Sequence, residues 1–162
     1  MNELTQNQVK SLFDYRDGKL FWKESRAKGK IKSGDEAGSI GSRGYKRVTI
    51  GYKEYPLHKI IYLWHHGNIP NVIDHINNDS LDNRIENLRE SNSLTNMYNR
   101  RIGSNNTSGC KNVSWNKKSN SWQVHIRSNK KVRCWYVKDF ELAELIAIEA
   151  RCLYHKEFAC HA

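Results

Sequence analysis

An acid and a histidine stand side by side in Asp74-His75, at the end of a short apolar run, Val72-Ile73. A loop dense in Asn and Asp follows, then Ile85-Glu86-Asn87-Leu88, then a helical segment carrying Asn96. Loops of this composition fold through hydrogen bonds made by their own side chains rather than around a core. Asp, His and Asn together supply what hydrolysis around a hard divalent cation needs: an oxygen ligand, a base and an orienting amide.

The run D-H-I-N-N-D-S-L-D-N-R-I-E-N-L-R, continued to Asn96, resembles the core of the HNH nucleases, in particular the phage and intron-encoded homing endonucleases. The resemblance implies a ββα-metal fold with one divalent cation held between two strands and a helix. By position it places the motif on His75, Asn87 and Asn96. It then implies His75 as the general base, Asp74 and Asn96 as the metal's oxygen ligands, and Asn87 as a brace on the loop and the His75 ring. The cation it implies is Mg²⁺, with Mn²⁺ as the alternative. Asn83 and Asp79 are expected to hold the shape of the loop.

The elements that must position these residues are legible around them. Thr5 and Gln8 have the spacing of a helix capping box, with Leu4 able to staple to Val9. Asp17-Gly18 between two apolar runs marks a tight hairpin, and Gly44 to Tyr55 alternates as a second hairpin turning at Gly51-Tyr52. Residues 26–32 lack periodicity and read as a mobile, cationic loop. Leu57, Ile60, Ile61 and Trp64 repeat at helical spacing up to Gly67, a stop signal, so that this helix should lie beneath the site. The resemblance places a similar His before this helix and so implies His58 as a structural partner inside the domain, and a metal role for His65 and His66 is not expected. A helix capped near Ser91 or Asn92 should bury Leu94, Met97 and Tyr98, leaving Asn96 on another face.

Residues 102–109 are Ser, Asn and Gly with hardly an apolar side chain and read as a linker. Residues 1–101 are then the nuclease domain, with its ββα core at about 70–100, and 110–162 a second domain. The latter reads as three antiparallel strands and a helix capped by Asp139, its buried stripe made of Ala143, Ile146, Ala147, Ala150, Leu153 and Tyr154. In the middle strand Trp122, Val124 and Ile126 should face the helix, and Gln123, His125 and Arg127 the other side. The segments T-S-G-C-K-N-V-S-W, W-Q-V-H-I-R and R-C-W resemble the plant ethylene-response-factor (APETALA-type) DNA-binding domain. That likeness implies DNA contacts from Ser114, Asn116, His125, Arg127, Arg133 and Trp135. Plant members carry arginines at the first two places, so their base preferences are not implied.

Composition agrees with this direction. Of 162 residues, 27 are Lys or Arg and 17 Asp or Glu, a balance of +10 that suits a polyanionic partner. No run has membrane-spanning length, and Met1 to Gln6 lacks the pattern of a signal peptide, so a soluble, intracellular protein is expected. For a phage-encoded chain, that means the cytoplasm of the bacterial host. Cys110, Cys134, Cys152 and Cys160 include no close pair; four free thiols and no structural zinc are expected, with Cys134 and Cys152 buried.

The overall expectation is an α+β protein: a ββα-metal nuclease domain with preceding hairpins and helix, followed by a small three-stranded sheet on one helix. The expected function is metal-dependent, site-specific cleavage of double-stranded DNA, without a small-molecule substrate, by a monomer or alternatively a dimer. The competing reading is a non-catalytic, sequence-specific DNA-binding regulator with a relic HNH domain.

Overall fold

The computed structural model describes residues 4–42 and 44–160. The chain divides into two units, Met1–Asn92 and Ser93–Ala162.

The first unit opens with helix α1 (Gln6–Leu12), closed by the expected capping box: Gln8 N–H donates to Thr5 Oγ1 at 3.3 Å, and Thr5 N–H to Gln8 Oε1 at 2.9 Å. Strands β1 (Phe13–Arg16) and β2 (Lys19–Trp22) pair antiparallel across Asp17-Gly18, both at positive φ as a two-residue hairpin requires. A side chain at Gly18 would also strike the backbone N of Arg84 at 2.7 Å, because the hairpin tip presses on the polar loop after His75. Strands β3 (Ser39–Ile40), β4 (Lys46–Ile50) and β5 (Lys53–Pro56) form a second sheet in that order. The basic segment before it is not an open loop: Arg26 and Ile31 bridge, and the Arg26 guanidinium lies over Trp22, 4.9 Å from the ring centre.

Helix α2 (Leu57–His66) ends where Gly67 turns left-handed at φ 80°. Its Leu57, Ile60, Ile61 and Leu63 are buried against Val9, Phe13, Leu20 and Ile73, so the helix is the floor on which the rest of the unit is laid. Strands β6 (Val72–His75) and β7 (Leu88–Ser91) pair antiparallel, Asp74 opposite Arg89 and His75 opposite Leu88. Ile73 and Leu88 anchor this ribbon in the core.

The second unit holds helix α3 (Ser93–Tyr98), strands β8 (Val113–Asn116), β9 (Ser121–Ser128) and β10 (Lys131–Val137) in the order β10-β9-β8, and helix α4 (Phe140–His155). As expected, Asp139 caps α4, accepting from Leu142 N–H at 2.7 Å. Val124 and Ile126 pack on Ala143, Ala147 and Ala150, while His125 and Arg127 are exposed on the opposite face of the sheet.

Several expectations need correcting. The division falls between Asn92 and Ser93, ahead of the expected linker, because α3 belongs to the second unit. The Tyr98 ring stacks on His155 at 3.9 Å, and Lys111 Nζ donates to the Tyr98 carbonyl at 2.8 Å. Residues 106–110 are folded by their own side chains. Ser108 Oγ donates to the Val113 carbonyl at 2.7 Å, and Gly109 N–H to Asn106 Oδ1 at 2.8 Å. Met97 and Leu153 are exposed, and the buried stripe of α4 runs instead through Arg151 and His155. The burial of Arg151 is made tolerable by a 2.6 Å bond from its Nη1 to the Lys111 carbonyl. All four cysteines are free, but the buried ones are Cys110 and Cys160, whereas Cys134 and Cys152 are exposed.

Candidate active site

Strand β6 delivers Asp74 and His75 to its end with only 5% and 7% of their surfaces exposed. Burying a carboxylate requires a partner, and the register supplies one. Arg89, directly opposite, donates from Nε at 2.9 Å and Nη2 at 2.7 Å to Asp74 Oδ2.

The imidazole of His75 is fixed by a residue expected only to shape the loop. Its Nε2 lies 3.0 Å from Asn83 Oδ1. The Asn83 amide is itself oriented by Nδ2 donating to the Leu81 carbonyl at 3.3 Å, and the residue is almost wholly buried. An amide oxygen can only accept, so Nε2 is the donor of this pair. The ring also meets His58 edge-on, with centroids 5.3 Å apart, and Tyr45 at 6.1 Å. His58 is the structural neighbour that was expected. Burial, and secondarily the nearby His75 and Lys59, pushes its pKa down to about 4, so it is neutral at physiological pH.

Asn87 is the hub of the polar loop. Its Nδ2 donates to Asn77 Oδ1 at 3.0 Å and to the Asp82 carbonyl at 2.7 Å, and its Oδ1 accepts from Asn77 N–H at 3.0 Å. The loop is further built from Asx turns, Asp79 N–H to Asn77 Oδ1 and Leu81 N–H to Asp79 Oδ1, both 2.9 Å. Arg84 binds both oxygens of Asp82, at 2.9 and 2.8 Å, and this hydrogen-bonded pairing holds the carboxyl down at about 2. Two outside groups pin the loop: Tyr15 Oη accepts from Ile85 N–H at 3.1 Å, and Ser80 Oγ donates to the Gly44 carbonyl at 3.1 Å.

Asp74, His75, Asn83 and Asn87 are thus gathered in the first unit, while Asn96 is half-buried on α3 of the second. Among the described residues, no group of three His, Cys, Asp or Glu side chains could form a metal cage. By its chemistry the Asp74 carboxylate is a hard oxygen donor of the kind that suits Mg²⁺. Arg89 was missed by the sequence reading, and Asn83 was given only the role of shaping the loop. The signal for Arg89 was present, since an antiparallel pairing of the two apolar ends puts an arginine opposite Asp74.

In the second unit the register sorts the six residues expected to face DNA. Ser114 pairs with Gln123 and Asn116 with Ser121, so both share the open face with His125 and Arg127. Arg133 and Trp135 pair with Ile126 and Val124 and are therefore on the helix-covered face. Trp135 packs on the core there, and the Arg133 guanidinium lies 4.0 Å from the ring centre of Tyr154. Their expected place on the open face is incorrect; Val132, Cys134 and Tyr136 of β10 occupy it.

A protein-family model for HNH endonuclease matches residues 55–98, a span from β5 through α3 that includes Asp74, His75, Asn87 and Asn96. The match does not reach the sheet of the second unit, so the APETALA-type resemblance gains no support from it. Protein 3.8 of Escherichia phage T7 is 30% identical over 121 residues, covering 72% of this chain and 96% of that protein. No solved structure matches the chain. Among the described residues, no helix is long and apolar enough to cross a membrane.

Proposed function

This chain belongs to the family of the phage protein it matches, with an HNH endonuclease domain at residues 55–98, and on that premise we propose that it is a metal-dependent DNA endonuclease of the site-specific, homing type. The observation that carries the reading is the His75 ring at the end of β6, beside Asp74 and held at Nε2 by Asn83 at 3.0 Å. As general base this imidazole would take a proton from water, while the Asn83 amide oxygen stabilises the positive ring that results. A carboxylate base would repel the phosphate; an imidazole does not.

Asp74 and Asn96 would hold one Mg²⁺ or Mn²⁺. When bound, such an ion offsets charge building up on the phosphate and on the leaving 3′ oxygen. Asn87 keeps the loop in the shape that presents His75, a supporting role in keeping with its three hydrogen bonds to Asn77 and Asp82. The open face of the second unit, with Ser114, Asn116, His125 and Arg127, is the DNA-reading surface, supported by the excess of cations along the chain.

A second reading has one specific observation in its favour. The Asp74 carboxylate is already balanced by Arg89, which suits a non-catalytic DNA-binding protein that has kept the fold of a nuclease. Supercoiled plasmid incubated with Mg²⁺ or Mn²⁺ separates the two. The nuclease reading expects wild type to give nicked or linear product, and His75→Ala to bind DNA without cutting it. Binding without cleavage by wild type in either metal would establish the second reading. Equal cleavage by both proteins would remove His75 as the base.

A further inference from the structure

A cavity of about 490 Å³ is walled by Ser42, Tyr45, Arg47, Pro56 and His58. Two of these walls, Tyr45 and His58, are the rings that lie against His75, so the cavity is one side chain away from the candidate base. The polar walls bring an imidazole, a guanidinium and two hydroxyls, and among the described residues no carboxylate lines the space. Arg47 is ion-paired with Glu54, whose oxygen lies 2.8 Å from Nε.

His58 is the unusual member. It is 9% exposed, yet its interactions within the described residues are the two ring contacts, with no hydrogen bond from either ring nitrogen to the protein. A buried neutral imidazole always has one N–H to give, and a structural histidine ordinarily spends it on a carbonyl or carboxylate. Here the ring is part of the cavity wall. A wall of donors without an acid is suited to an anion, and the volume exceeds that of a bare phosphate, leaving room for an attached sugar.

We propose that this cavity seats the DNA backbone phosphate next to the one attacked from His75, with the His58 N–H and the Arg47 guanidinium donating to its oxygens. His58 is then a positioning residue: it sets where the strand lies relative to His75 and takes no proton in the reaction. The proposal rests on the nuclease reading of the site, but its test does not depend on cleavage.

Two quantities are measured for full-length wild type, His58→Ala, His58→Gln and Arg47→Gln. One is the Kd for a fluorescein-labelled duplex, by anisotropy in Ca²⁺; the other is KM and kcat on supercoiled plasmid in Mg²⁺. A hydrogen bond to a charged oxygen corresponds to about tenfold or more in affinity. Accordingly His58→Ala and Arg47→Gln should each raise Kd and KM about tenfold with kcat little changed, and His58→Gln, which restores a donor, should recover most of the loss. Unchanged Kd in Arg47→Gln, or a fall in kcat alone in His58→Ala, would overturn the proposal. If His58→Ala melts early because a buried ring is gone, the Arg47→Gln and His58→Gln results decide. Should wild type bind but never cut, weakened binding in these variants would keep the phosphate seat and sink only the nuclease reading.

Discussion

Asp74 and Arg89 face each other across β6 and β7, with two guanidinium nitrogens on a single carboxylate oxygen at 2.9 and 2.7 Å. The pair is 5% and 17% exposed at its side chains, so neither charge has much water to fall back on. Removing one member of such a pair costs about 3–5 kcal/mol, mostly because the other is left buried and uncompensated. Arg89→Met should therefore lower the stability of the first unit by that order. If Asp74 also holds a divalent cation, millimolar Mg²⁺ should return part of the loss in the variant and little in wild type. Thermal melts with and without Mg²⁺ decide, and a variant indifferent to metal would count against Asp74 as a ligand.

The part of this architecture that sequence reveals is the part set by local chemistry. Thr5 with Gln8, Asp17-Gly18, Gly67 and Asp139 each impose a backbone state on their neighbours, and the elements they bound are where the pattern puts them. Asn83 and Arg89 depend on contacts between segments. The His75–Asn83 bond closes a loop whose path is set by six or more side-chain bonds, and no periodicity encodes it. Arg133 and Trp135 show a different failure. Side chains alternate along a strand, so carrying positions over from a resemblance without counting the cross-strand register sends a residue to the wrong face. Arg151 and His155 displaced Leu153 from the buried stripe because each finds a polar or aromatic partner that a leucine there could not use.

Asn83 holds the His75 ring through its Nε2, and its replacement should be read in a pH profile. Asn83→Ala frees the ring and should reduce kcat about 10–100-fold, the size of effect seen when an orienting partner is lost. Asn83→Asp keeps a hydrogen bond but adds a charge that favours the protonated ring. The acid limb of its kcat–pH profile should then move to higher pH. A profile identical to wild type in the aspartate variant would show that the ring's protonation does not control the reaction.

His58 makes stability depend on pH in a definite direction. Its folded pKa of about 4 lies below the ordinary 6.5 because burial resists the charge. The unfolded chain therefore binds the proton first as pH falls, and stability present above about pH 6.5 is lost progressively down to pH 4. The separation corresponds to about 3 kcal/mol at most. Urea midpoints measured from pH 7 to 4 should fall more steeply in wild type than in His58→Gln. His155, whose pKa burial also lowers, contributes a slope common to both proteins. Parallel slopes would mean that His58 is charged in the folded state at low pH, and that the cavity beside it is wetter than its burial implies.

Arg127 and Arg133 offer a direct test of which face of the second unit meets DNA. They lie on neighbouring strands, yet the register sets Arg127 beside exposed Val132, and Arg133 beside buried Ile126. If the open face touches phosphate, Arg127→Ala should weaken DNA binding uniformly across sequences and reduce the salt slope by about 1. Arg133→Ala should leave affinity nearly intact. It removes a guanidinium 4.0 Å from the Tyr154 ring, and its loss should appear in stability, by about 0.5–2 kcal/mol. Salt titrations of Kd for both variants, each paired with a melting curve, separate the roles. A larger change of salt slope in Arg133→Ala would mean that the strand presents its other face to DNA, which would require α4 to leave the sheet on binding.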